Sequence, residues 1–131
     1  LQAPLLALLQ DPVRSVRLNE RAYNMVAYAW GRRYQQSNQW AIETLAMAAE
    51  PSVTTREQAQ AWLRFKAYQP TTLRLGAFTR LGARAGTANV AFDDHPNDKR
   101  FSDRIDTVPV DSVLDWLART GLGSAAQRIA L

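Results

Sequence analysis

Three groups of residues in this sequence are of types that could do chemistry. Ser37 stands just ahead of an apolar-periodic stretch. There the amides and macrodipole of a helix N-terminus favour an anion, and would lower the pKa of a nucleophile or stabilise an oxyanion beside it. Asp93-Asp94-His95 sets the one His of the chain beside two carboxylates, a pattern in which Asp94 could orient His95 as a general base. The aromatic and basic group Tyr28, Trp30, Arg32, Arg33, Tyr34 and Trp40 could form a groove for a peptide, a glycan or stacked bases. Each group also has a plainer reading: Ser37 as a helix cap, 93–95 as a surface turn, the aromatics as core edges. Asp93, Asp94, Asp98 and Asp103 could gather a hard cation such as calcium, but their spacing does not match an EF-hand loop. No metal and no cofactor is expected.

Composition narrows the chemistry further. The 131 residues are 47% hydrophobic and 21% charged, the balance of one ordinary globular domain. With no Cys, a disulfide framework, Cys-ligated zinc, an iron–sulfur cluster and thiolate catalysis are excluded. One His excludes any site that needs two imidazoles. Only two of the 16 basic residues, Lys66 and Lys99, are Lys. An Arg-heavy balance of this kind reflects a GC-rich genome, so the net charge of +4 does not argue for nucleic acid. The charge is uneven, basic through residue 90 and acidic after it, which suggests two faces or a docking surface. No run reaches the roughly 18 apolar residues of a membrane span. Leu1-Gln2-Ala3-Pro4 has no charged region ahead of it and the chain does not begin with Met, so it reads as a processed piece whose targeting signal lies upstream.

The elements that must position these residues follow from spacing and punctuation. Leu5, Leu6, Leu8 and Leu9, between Pro4 and Asp11-Pro12, predict a two-turn helix. Residues 13–18 alternate like a strand, and 22–30 read as a buried strand or extended segment ending at Gly31. Trp40, Ala41, Leu45, Ala48 and Ala49 form the stripe of a helix over 38–49, capped by Ser37 and stopped by Pro51. Thr54 and Glu57 form a capping box for a helix over 55–67, with Ala59, Ala61, Trp62, Leu63 and Phe65 as its apolar face. Residues 71–87 predict a strand followed by a short helix, 87–92 a strand, 93–100 a polar loop, and 105–110 a strand that Pro109 confines to an edge or end. Asp111 caps a last helix through Thr120, with Val113, Leu114, Trp116 and Leu117 inward and Gly121 as its stop. No internal repeat appears, and the order of elements is α+β.

Several blocks carry a resemblance: Tyr23-Asn24-Met25-Val26-Ala27-Tyr28, Arg33-Tyr34-Gln35-Gln36-Ser37-Asn38-Gln39-Trp40, Arg56-Glu57-Gln58-Ala59-Gln60-Ala61-Trp62-Leu63, Asn89-Val90-Ala91-Phe92-Asp93-Asp94-His95-Pro96-Asn97 and Arg104-Ile105-Asp106-Thr107-Val108-Pro109-Val110. Over nearly the whole chain the sequence resembles an uncharacterised family of secreted proteobacterial proteins, known as a domain of unknown function. That family looks distantly similar to the permuted branch of the NlpC-type papain-like hydrolases. The resemblance implies an α+β, papain-like half-domain, a small antiparallel sheet packed on a central helix pair, in a periplasmic or secreted protein. It places Ser37 where those hydrolases hold a Cys at the N-terminus of their central helix. A hydroxyl is far less ionised than a thiol near neutral pH, so activity is expected to be lost or altered. The branch also carries its catalytic His upstream of that helix, where this chain has none. The chain thus resembles the C-terminal half of such a domain, and an N-terminal fragment of the same precursor or another chain is the expected partner.

Two functional expectations follow. If the protein is an enzyme, it is an amide or ester hydrolase with Ser37 as nucleophile, His95 as base and Asp94 as the orienting carboxylate. If it is a binding or assembly module, Tyr28, Trp30, Arg33, Tyr34 and Trp40 form the surface that holds a peptide, a glycan or a protein chain.

Overall fold

Pro4 does not delay the first helix. In the computed structural model, which describes residues 1–76, 79, 89–127 and 129, α1 spans Gln2–Gln10 with Leu1 as its N-cap. Pro4 therefore falls in the first turn, where a missing N–H costs nothing because no intrahelical acceptor awaits it. Only Leu8 of its four leucines is fully buried. The strand expected over 13–18 is absent. Asp11 Oδ1 accepts from the amides of Val13 and Arg14, and this carboxylate-held turn opens a run of turns that delivers Leu18 to the core.

Helix α2 (Ser37–Ala49) and helix α3 (Arg56–Phe65) pack on one another. The buried face of α2 carries Gln39, Ile42, Glu43, Ala46 and Met47, one turn-to-turn stripe. Of the expected stripe Ala48 is in the core and Ala49 half-buried, while Trp40, Ala41 and Leu45 are half-buried beside α1. Apolar spacing alone missed the more deeply buried face because it contains Gln39 and Glu43. At α3 the capping box lies one residue later than expected: Thr55 accepts from the Gln58 amide, and the Gln58 side chain reaches back to the Thr55 amide. Phe65 is exposed, not inward.

The sheet is small: β1 (Thr71–Arg74) and β2 (Arg104–Thr107) pair antiparallel, with Thr71 opposite Thr107 and Arg74 opposite Arg104. Pro109 cuts the last strand short by becoming the N-cap of α5 (Val110–Arg119), which leaves Asp111 in the first turn instead of at the cap. A short helix, α4 (Asn97–Phe101), occupies much of the polar loop expected at 93–100 and packs on β2. Residues 22–30 form no strand, only an isolated parallel bridge between Tyr23 and Gln35. Residues 89–92 are not a strand either. The short helix expected after β1 and the beginning of the strand expected over 87–92 lie outside the described residues.

The α+β class stands: five helices and one two-stranded antiparallel sheet among the described residues. The core joins Leu8, Leu18, Ile42, Met47, Leu63 and Val108 to an aromatic relay. Trp30, Tyr68, Trp116 and Trp62 meet edge to face at centroid separations of 5.9, 5.9 and 6.1 Å. Trp116, fully buried, donates its indole N–H to Lys66 O at 2.9 Å, so its polar end is satisfied. No helix is long and apolar enough to cross a membrane among the described residues.

Candidate functional site

The loop that leads into α2 has few backbone partners of its own, and side chains from the helices satisfy its carbonyls instead. Gln39 donates to the carbonyls of Tyr28 and Ala29 at 3.1 and 3.2 Å. Gln60 donates to Gly31 O at 2.9 Å, and Arg56 donates to Gly31 O and Arg32 O at 3.1 and 3.0 Å. Beneath them Glu43, wholly buried in the middle of α2, gathers four donor contacts: Gln35 Nε2 at 2.8 Å, Gln60 Nε2 at 2.8 Å, Arg56 Nε at 2.8 Å and Arg56 Nη2 at 3.2 Å. A buried carboxylate is tolerated only when paired and hydrogen-bonded in this way. Gly31 lies close to its neighbours: a Cβ there would come within 3.2 Å of Tyr28 O and 3.6 Å of Asp94 Oδ2.

The second layer of the site binds residues 24–29 to residues 89–95. Asn24, buried, donates to Ala91 O at 2.7 Å and accepts from the Ala91 amide at 3.1 Å, and the Met25 amide reaches Asn89 O. Asp94 accepts the Tyr28 amide on Oδ2 at 2.8 Å and faces His95 Nδ1 with Oδ1 at 3.1 Å. The His95 side chain is fully shielded from solvent and its Nε2 has no partner. The Tyr28 ring lies 5.3 Å from the imidazole. Burial, with Asp106 nearby, raises the Tyr28 pKa above its ordinary value against the opposing pull of Arg64 and Lys99. Burial alone would raise Asp106, but hydrogen bonds from Thr72 Oγ1 at 2.6 Å and Lys99 Nζ at 3.1 Å outweigh it and lower the carboxyl below its ordinary range.

Ser37 takes no part in these hydrogen bonds. It is the first residue of α2, not its cap: Gln36 holds the cap position while its side chain donates to Thr107 Oγ1 at 2.6 Å. Asn38 in turn donates to Val108 O at 3.0 Å. In the run Gln35-Gln36-Ser37-Asn38-Gln39 every amide side chain is therefore committed inward, and only Ser37 is exposed. It lines a cleft of about 280 Å³ with Asn19, Glu20, Tyr23, Gln35, Gln36 and Trp40.

The structure thus joins Asp94 to His95. No hydrogen bond links Ser37 to His95, and His95 does not line the Ser37 cleft. The five residues expected to share a binding surface make different contacts. Trp30 packs in the aromatic relay under the Arg64 guanidinium, 4.5 Å from its ring, and Tyr28 covers His95. Arg33 stacks on Tyr34 and pairs with Asp93 at 2.8 Å, and of the five only Trp40 reaches the cleft. Among the described residues no group of three or more His, Asp or Glu side chains could hold a metal, because Asp93 and Asp94 turn to different partners. Glu43, Gln39 and Gln60 were missed from sequence, as were Glu20 and Tyr23. The available signal was a Glu at the i+4 position from Gln39, on the same helix face as Ile42, Ala46 and Met47.

No curated protein and no solved structure matches this chain. One family model does, described as an uncharacterized protein conserved in bacteria (DUF2145), and the match runs from residue 1 to residue 117. That span takes in the Glu43 network, the Asp94–His95 pair and the Ser37 cleft, and the chain belongs to this bacterial family of uncharacterised proteins.

Proposed function

We propose that this protein is a non-catalytic binding module that uses the cleft at the head of α2, with Ser37 in the place where the papain-like hydrolases it resembles hold their nucleophile. The observation that carries this reading is that His95 is shielded from solvent and makes no hydrogen bond to Ser37. A serine hydroxyl needs a base within hydrogen-bond reach to attack a carbonyl, whereas His95 is sealed against Asp94 and Tyr28. Asp94–His95 then acts as a clasp that fixes residues 28–31. The cleft is what the Glu43 network and the paired amides hold open.

A hydrolase reading has one observation in its favour, the Asp94–His95 hydrogen bond, which is the orienting half of a triad. It would require His95 to leave its shielded position and reach Ser37. The proposed setting is the periplasm or the cell exterior, and the proposed partner is an N-terminal fragment of the same precursor or another protein chain. Leu6, Leu9, Val13 and Val16, exposed at 58%, 45%, 72% and 62%, support such docking beside α1.

A fluorophosphonate probe with intact-mass readout separates the two readings. The binding module takes up no adduct at Ser37. An adduct at Ser37 that disappears in His95→Ala shows the two residues working together and overturns the proposal.

A further inference from the structure

The lining of the Ser37 cleft specifies a chemical class of ligand. It contains two aromatic residues, no Lys or Arg and no aliphatic side chain. With no base in the lining and the Glu20 carboxylate present, the cleft disfavours phosphates and carboxylates. Without an aliphatic wall it offers no pocket for the apolar side chain of a peptide.

What it does offer is a mixed set of unengaged polar groups. Gln35 is occupied, since its amide accepts from the Glu20 N–H and donates to Leu18 O and Glu43, whereas Gln36 donates to Thr107 and keeps its oxygen. Glu20 uses one carboxylate oxygen on the Ala22 amide, at 3.1 Å, and keeps the other. Trp40 contributes its ring to the lining, its Nε1 being buried. The hydroxyls of Ser37 and Tyr23 and the Asn19 side chain, all on exposed residues, make no hydrogen bond within the protein. These are two groups that only accept, on Glu20 and Gln36, and three that do both. A matching ligand needs closely spaced groups that both donate and accept, and an apolar C–H face to lie on the Tyr23 ring, which is 45% exposed. Ring hydroxyls of a sugar meet both conditions. The cleft volume of about 280 Å³ is at the small end of ligand sites, the scale of a sugar ring and its linkage.

We infer that the cleft formed by Asn19, Glu20, Tyr23, Ser37 and Trp40 binds a neutral saccharide. This assignment rests on the binding-module reading above and adds the ligand class. Its test is a titration of the full chain, followed by the amide resonances of residues 19–40 and the Trp40 indole N–H. The probes are three neutral oligosaccharides, the trimers of N-acetylglucosamine, cellulose and amylose, and a blocked Gly-Leu-Gly peptide.

The expected result is that at least one trimer shifts the Trp40 indole and the Tyr23 and Ser37 amides while the peptide does not. Tyr23→Ala should then weaken binding about three- to tenfold. Phe101→Ala, which removes an exposed ring on α4 outside the cleft lining, should leave it unchanged. Shifts at the same residues with the peptide but with no trimer overturn the saccharide assignment and leave the binding cleft standing. Silence at residues 19–40 with all four probes overturns both. Equal weakening by Tyr23→Ala and Phe101→Ala also contradicts the assignment, because it would place the sugar outside the cleft.

Discussion

Replacing Arg56 with Met tests whether the Glu43 network holds the loop ahead of α2. Arg56 makes four hydrogen-bonding contacts, two to the Glu43 carboxylate and one each to the carbonyls of Gly31 and Arg32. Its side chain is 11% exposed and that of Glu43 is 1% exposed. Arg56→Met removes the cation paired with the Glu43 carboxylate and leaves Glu43 with the Gln35 and Gln60 amides. Breaking a buried pair from one side costs about 3–5 kcal/mol, since the remaining charge stays in the interior. For a domain of ordinary stability that is a large share of the total, and the urea midpoint should fall by roughly 2 M. Adding Glu43→Gln to Arg56→Met removes the stranded charge and should recover about 1–2 kcal/mol. The Arg32–Glu57 pair is an internal control: its 2.7 Å distance is as short, but the side chains are 62% and 74% exposed. Arg32→Ala should therefore cost less than about 1 kcal/mol. If Arg56→Met costs no more than Arg32→Ala, or if the double variant is simply additive, the argument from burial is refuted.

Three other predictions rest on single positions. Ala67 follows α3 with φ +54° while its amide bonds Arg64 O and the Tyr68 amide bonds Leu63 O, the same Schellman closure that Gly121 makes after α5 at φ +69°. Ala67→Gly should stabilise the protein by about 1 kcal/mol in chemical denaturation, and a loss of stability would show that the left-handed cap is not strained. Because the Asp106 pKa is lowered in the folded protein, its contribution is complete above the ordinary aspartate value of 3.8 and drains away as the pH falls through the lower folded value. Asp106→Asn should flatten the acid limb of the stability–pH curve, and an unchanged limb would contradict the role given to Thr72 and Lys99. Asp94→Ala leaves the Tyr28 amide and His95 Nδ1 without their acceptor and should cost about 1–3 kcal/mol. A neutral outcome would mean that water replaces the carboxylate.

The helices were largely legible in the sequence, because Pro51, Pro109 and Gly121 punctuate them and their lengths suit the spacing. What escaped was the irregular framework. Residues 22–30 are aromatic and apolar enough to read as a strand, yet their backbone groups are satisfied by Gln39, Asn89 and Asp94, and no local pattern encodes partners so distant along the chain. Part of the buried face of α2 was missed for a related reason: Gln39 and Glu43 look like solvent residues until the carbonyls of Tyr28 and Ala29 accept from the first and Arg56 and Gln60 on the next helix donate to the second. Asp94–His95 was found because the two are adjacent. Its burial was not foreseen, since a polar stretch of Asp, His, Pro and Asn reads as a surface loop. Ser37 was picked for the right element and given the wrong position in it, with Gln36 taking the cap.

The central claim, that His95 is a buried clasp and not a base available to Ser37, can be measured on the unmodified protein. The chain contains one His, so carbethoxylation by diethyl pyrocarbonate, mapped to residue 95 by peptide mass, reports on that side chain alone. The account predicts negligible modification of His95 in the native protein and rapid modification once urea unfolds it. Modification in the native state at the rate of a free imidazole would contradict the clasp and return His95 to the role of a catalytic base.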